Sequence, residues 1–294
     1  MSYICPNLFG TFFMVNINGK IVNTEDAEIS VFNRGLNYGD AVFETIKVSH
    51  GKILFWEDHY FRLMASMRIL RIEIPMNFTL EFLENEILST VRQNDFLDET
   101  CRIKLLASRE SKGFYLPKNK NVNYIISCKT LTIDFYQFLD KENVIDLYKD
   151  HYLSDSLLST IKSNNRIINV IGSIYANEND LDNCLLLNTN KHIVEALNAN
   201  VFLVKDNVIK TPPLSDGCIN GVMRKQIIEI VKLIPELTLQ EASILPFELQ
   251  KADELFLTNV IIGIQPITKY RKKEFGSETA KNLLGKLNVK VRLS

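Results

Sequence analysis

Two blocks of mixed strand and helix signals, separated by a stretch where apolar periodicity fades, constrain this chain most. In the first block, residues 11–17 are rich in aromatic and β-branched side chains and run into Asn18-Gly19, which predicts a hairpin. Residues 41–48 predict a further strand, ended by Ser49-His50-Gly51. Over 57–70, Tyr60, Leu63, Met64, Met67 and Leu70 recur at helical spacing. Thr79 is placed to cap the next helix, through Phe82, Ile87, Leu88 and Val91, with Glu81, Glu84 and Glu86 in its early turns. Strands over 103–107 and 122–128 complete this block. The second block predicts helices over 165–177 and from Gly221 to Leu233, and a short one near Phe247. Its strands are expected at 184–187, 193–195, 200–204, 208–210, 237–239 and 254–258. The expected division is an N-terminal α/β domain over 1–130, a linker over 131–143 and a C-terminal domain over 144–294.

Composition narrows the function classes. With 34 basic and 35 acidic residues the formal net charge is -1, so neither nucleic acid nor an anionic membrane is an expected partner. No apolar run is long enough to span a bilayer. The opening Met1-Ser2-Tyr3-Ile4-Cys5 lacks the basic start of a signal peptide. The 5 cysteines are scattered without a CxxC pair, which argues against a disulfide framework and a structural metal. A reducing cytoplasm and no metal are the expectation.

The chemistry-bearing residues come in a fixed order. Lys162 opens Lys162-Ser163-Asn164-Asn165-Arg166, flanked by the apolar pairs Leu157-Leu158 and Ile167-Ile168. Burial in such a setting lowers an amine's pKa and favours the neutral nucleophile that forms a Schiff base. Glu195 ends the strand Ile193-Val194-Glu195; it is either an exposed strand-end acid or the partner of a protonated pyridine nitrogen. Asn200 is either a turn residue or a brace for Glu195. Gly221-Val222-Met223-Arg224 starts a helix whose open N-H groups suit a phosphate. A lysine, an acid and a glycine-led helix start are what pyridoxal phosphate (PLP) requires, and an amino-bearing small molecule is then the expected substrate. Upstream, the Gly- and Asn-rich stretch around Tyr38, leading into Phe43, is either a pocket wall or an ordinary loop. Arg62 is either a surface residue or a bidentate phosphate ligand, and Arg109 either a solvated loop residue or a substrate-carboxylate ligand. His59 is expected to make a structural hydrogen bond.

These elements together resemble the fold-type IV PLP enzymes: branched-chain aminotransferases, D-amino-acid aminotransferases and aminodeoxychorismate lyases. The resemblance runs from about Asn16 to Lys269, through Arg34, Tyr38-Gly39-Asp40, Phe43-Glu44, His59, Arg62-Leu63, Lys162, Glu195, Asn200-Val201-Phe202, Thr211-Pro212, Gly221-Val222, Arg224 and Ala252-Asp253-Glu254-Leu255-Phe256. It implies a two-domain α/β fold with a C-terminal pseudo-barrel, the cofactor between the domains, and a homodimer whose neighbouring chain helps close the site. It further implies Lys162 as the Schiff-base lysine and Glu195, with Asn200, at the pyridine nitrogen. Arg62, the Val222 and Met223 N-H groups and Asn259 would hold the phosphate end. Tyr38, Phe43, Arg109 and Arg166 would face the substrate.

Three local features lean toward the lyase, which would release pyruvate and 4-aminobenzoate for folate synthesis. Lys162-x-x-Asn165-Arg166 is similar to the lyase pattern. Met223 and Val260 stand where the transaminases usually place hydroxyl residues, and Asn259 is retained as in many lyases. A branched-chain or D-amino-acid aminotransferase is the alternative. A non-catalytic family member is disfavoured by the presence of both Lys162 and Glu195.

Overall fold

The computed structural model describes residues 13–110 and 112–293. Packing divides them into two compact units, one of residues up to Asp134 with Lys162–Asn165, the other of Phe135–Ile161 with the residues from Arg166 onward.

The first unit is built on β1 (Met14–Ile17), β2 (Lys20–Asn23), β3 (Ala41–Ser49), β4 (Lys52–Ile53), β5 (Thr100–Arg109) and β6 (Val122–Thr130). They form one antiparallel sheet in the order β2-β1-β6-β5-β3-β4. The β1–β2 turn is made by Asn18 and Gly19, both at positive φ, as a two-residue hairpin requires. The expected start of that hairpin at Thr11 and Phe12 lies outside the described residues. Helices α1 (Arg34–Tyr38), α2 (Trp56–Ile69) and α3 (Leu80–Gln93) complete the unit. Thr79 caps α3 as expected, its hydroxyl accepting from the Phe82 N–H at 3.1 Å. Alternation along β3 buries Val42, Glu44, Ile46 and Val48 on one face, against Leu63 and Met67 of α2 and the β5 residues Ile103 and Leu105. The other face carries the half-buried Phe43 and Thr45.

The second unit holds β7 (Val144–Leu153), β8 (Asn183–Asn188), β9 (Ile193–Ala196), β10 (Asn200–Lys205), β11 (Val208–Thr211), β12 (Thr238–Glu241), β13 (Glu254–Asn259), β14 (Gly263–Ile267), β15 (Lys269–Tyr270) and β16 (Lys273–Glu274). They make two five-stranded sheets, ordered β12-β11-β10-β13-β14 and β16-β15-β7-β8-β9. Ile145, Leu147, Leu185 and Leu187 of one sheet share an apolar cluster with Val201, Leu203, Leu255 and Leu257 of the other, so the sheets enclose one core. Four helices follow the chain here: α4 (Leu157–Thr160), α5 (Ile167–Glu178), α6 (Val222–Lys232) and α7 (Glu278–Leu293). Ala176 of α5 and Tyr148 and Leu186 of β7 and β8 form a second cluster, while α6 packs on β12, β13 and α7.

Two large elements, β7 and α7, were not anticipated. In β7, Asp146, Lys149, Asp150 and His151 interrupt the apolar alternation. The helix expected over 165–177 starts at Ile167 rather than Asn165, because Arg166 takes a non-helical cap conformation. The stretch around Tyr38, expected as a turn, contains α1, capped by Asn33 and ended by Gly39 at φ 63°. Among the described residues, no helix is long and apolar enough to cross a membrane.

Candidate active site

In the first unit the lysine segment is an extra rung on β3. The strand β4 covers only the far end of β3, so the edge at residues 41–43 has backbone groups to satisfy. The Phe43 N–H donates to the Lys162 carbonyl at 2.9 Å, and the Asn164 N–H to the Ala41 carbonyl at 2.9 Å. This pairing sets the Lys162 ammonium over the Phe43 ring, 4.5 Å from its centroid. Lys104 of β5 approaches the same ring at 5.1 Å. Lys162 and Phe43, both predicted site residues, are therefore neighbours.

Beside them, Glu44 points to the helix-covered face and gathers two α2 residues. His59 Nδ1 lies 2.7 Å from Glu44 Oε2. Arg62 donates through Nε to Oε1 at 2.8 Å and through Nη2 to Oε2, a fork-to-fork pair. Burial alone would raise the Glu44 carboxyl, but the Arg62 charge and the hydrogen bonds from His59 and Arg62 outweigh it and hold it at about 2. Burial pushes His59 below its ordinary value, so it is neutral at pH 7 and donates through Nδ1. Arg62 is thus an oriented cation midway along α2. Glu44 is a functional residue missing from the expected set, although an acid on the apolar side of an alternating strand is itself a signal of a buried cation.

Arg109 is committed elsewhere. Its guanidinium donates to Asp40 through Nε at 2.9 Å and Nη2 at 3.2 Å, and to the Arg71 and Leu70 carbonyls at 2.8 and 2.6 Å. With four hydrogen bonds made and the side chain 8% exposed, it ties the end of α2 to β5 rather than presenting a face to a substrate carboxylate. Asp40 also accepts from Arg34 Nε at 2.8 Å. Tyr38 is exposed, with the Arg34 guanidinium 4.9 Å from its ring and the Tyr115 ring at 5.7 Å.

In the second unit the acid and the helix start meet at one residue. Glu195, 3% exposed on β9, accepts from the Ile219 N–H at 2.8 Å. Asn200, the first residue of β10, donates to the Ile219 carbonyl at 2.9 Å. Asn200 therefore braces the segment that Glu195 grips; it does not bond Glu195 itself. Gly221 then caps α6, and no side chain supplies a cap hydrogen bond to the first turn. A Cβ on Gly221 would overlap Asn200 Oδ1. Gly221→Ala is expected to push Asn200 off Ile219 and weaken PLP binding about tenfold, a packing cost of roughly 1–3 kcal/mol, read by cofactor titration. Unchanged affinity would remove this contact from the account.

The remaining predicted residues have local duties. Arg166 Nη2 donates to the Ile161 carbonyl at 2.8 Å. Asn259 Oδ1 accepts from the Ile261 and Ile262 N–H groups at 3.0 and 2.9 Å and so shapes the β13–β14 turn. Arg224 of the same motif is buried and bonds the Pro212 carbonyl at 2.8 Å and Glu241 at 2.7 Å.

The sequence profile described as Amino-transferase class IV matches residues 41–270, most of the chain. This chain belongs to the class IV aminotransferase family. It is similar at full length to a putative branched-chain-amino-acid aminotransferase of Methanocaldococcus jannaschii, 30% identical over 278 residues that cover 95% of each chain. An aminodeoxychorismate lyase of Vibrio harveyi is 26% identical over 238 residues, 80% of this chain and 85% of the relative. Among solved structures, the branched-chain aminotransferase of Thermoproteus uzoniensis with norvaline superposes with a TM-score of 0.84 at 26% identity, covering 94% of this chain and 93% of that one. Class IV aminotransferases and lyases are PLP-dependent enzymes, and this chain is one of them.

The residues of this class IV chain fit that cofactor. A helix start left without a side-chain cap, opened by a glycine whose Cβ would collide, is chemistry for a phosphate. A buried carboxylate beside it suits a protonated ring nitrogen. A lysine held by its own backbone suits an aldehyde.

Proposed function

We propose that this class IV enzyme is a 4-amino-4-deoxychorismate lyase, releasing pyruvate and 4-aminobenzoate. The observation that carries the reading is the pair Met223 and Val260, apolar where the transaminase pattern places hydroxyl side chains. Lys104 beside Phe43 adds a cation suited to a substrate that carries more than one carboxylate. When bound, PLP withdraws electrons from the carbon next to the substrate nitrogen. Lys162 would hold the cofactor at Nζ, exchange it for the substrate amine, and take the proton from that carbon. The same Nζ can return a proton to the departing enolpyruvyl group, so no second substrate is needed. Glu195 would keep the ring nitrogen protonated, with Ile219 and Asn200 fixing its position. The Val222 and Met223 N–H groups, with Arg62, would neutralise the phosphate.

An aminotransferase acting on branched-chain or D-amino acids is the second reading, and the whole-chain likeness favours it: the 30% identical relative covers 95% of this chain. A homodimer belongs to either reading; exposed Ile167, Val170 and Ile174 along α5 supply apolar surface for it. The deciding assay supplies enzymatically made aminodeoxychorismate to the PLP-loaded protein without any keto acid. Repeated release of 4-aminobenzoate is the expected result. A single amino transfer that resumes only when a keto acid is added would establish the aminotransferase instead.

A further inference from the structure

Among the described residues, two buried hydroxyls of the second unit, those of Tyr148 and Thr258, make no hydrogen bond, and only Thr258 lies on the strand that pairs with Asn200. Thr258 of β13 is 2% exposed, and its Oγ1 makes no hydrogen bond in the protein. A hydroxyl in that state is costly unless something outside the chain bonds it. Its direction follows from the ladder. Thr258 pairs directly with Asn200 of β10, and directly opposed residues project from the same face. On that face, Phe256 stacks on Phe202 at 5.1 Å, while the alternate residues Val201 and Leu257 point into the core between the sheets. Asn200 reaches Gly221 and Ile219 at the start of α6. Thr258 therefore stands one strand over from the residue that shapes the helix start, on the side that α6 covers.

We propose that the Thr258 hydroxyl donates a hydrogen bond to the cofactor phosphate at the N-terminus of α6. It would supply from β13 the hydroxyl that Met223 and Val260 do not carry. The inference rests on the PLP reading and on α6 as the phosphate site. It makes Thr258 a positioning residue for the cofactor and assigns it no proton transfer.

The test uses the full chain freed of cofactor, titrated with PLP and separately with pyridoxal, which lacks the phosphate. Thr258→Val removes the hydroxyl and keeps the shape; Thr258→Ser keeps a hydroxyl. Thr258→Val should bind PLP about tenfold more weakly or worse, as expected for a lost bond to a charged group, and bind pyridoxal like the unmodified protein. Thr258→Ser should retain most of the PLP affinity. The melting temperature of cofactor-free Thr258→Val should be equal to or above that of the unmodified protein, because an unpaired buried hydroxyl has been removed. Unchanged PLP affinity in Thr258→Val would overturn the proposal. So would equal losses toward PLP and pyridoxal with a lowered melting temperature, which mark a structural role. If the unmodified protein binds pyridoxal as tightly as PLP, the phosphate site itself fails, a result separable from failure of Thr258 alone.

Discussion

Lys162→Ala is expected to remove the visible absorbance of lysine-bound cofactor and to lower turnover by about a thousandfold or more, the range of a lost general base and nucleophile. The fold should survive. Lys162 is anchored through its backbone, by the Phe43 N–H on its own carbonyl and by Asn164 on Ala41, and alanine keeps both bonds. The contact of the Lys162 Nζ with the Phe43 ring, worth about 0.5–1 kcal/mol at a partly open site, is among those lost. Absorbance spectroscopy and thermal unfolding on the same preparation separate the two effects. A variant that unfolds, or one that keeps the cofactor band, would contradict the assignment.

The second large effect is on stability. Glu44→Gln removes the carboxylate charge that the Arg62 guanidinium, 11% exposed, pairs with and weakens the bond to the fully buried His59. Breaking one side of a buried pair should destabilise the protein by about 3 kcal/mol or more, measured by denaturant unfolding. The same group sets an acid limit. The Glu44 carboxyl, held at about 2 in the fold, titrates nearer 4.3 when unfolded. Its contribution is complete above about pH 5 and is lost as pH falls toward about 2, because the unfolded chain takes the proton first. His59 acts in the same direction at higher pH. Burial lowers its pKa in the fold, so stability falls as the unfolded form protonates below about pH 6.5. In Glu44→Gln the fall below about pH 5 should be shallower. An unchanged acid transition would show that Glu44 does not govern it.

Periodicity made most of the elements legible. The apolar repeat of α2 and the Thr79 cap of α3 are local signals, and the structure starts both helices within a residue of expectation. The strand β7 was not legible because charged side chains break its alternation, and its pairing with β8 is a parallel, long-range contact. For the candidate site, the sequence identified residue types but not their partners. Arg109 read as a ligand because nothing local reveals that Asp40 and the carbonyls of Leu70 and Arg71, just past α2, absorb its donors. Glu195 and Gly221 were legible singly, whereas their meeting at Ile219 depends on the path of the chain from β11 to α6 and carries no sequence mark. Thr258 was invisible for the same reason: an unpaired hydroxyl is defined only by its surroundings.

The most direct test of the central claim, that Lys162 holds the cofactor, is borohydride reduction of the PLP-loaded protein followed by peptide mass spectrometry. Reduction makes the lysine linkage permanent, so the modified residue can be located. A single pyridoxyl adduct at Lys162 is the predicted result. An adduct at Lys104 or any other lysine, with Lys162 unmodified, would contradict the account.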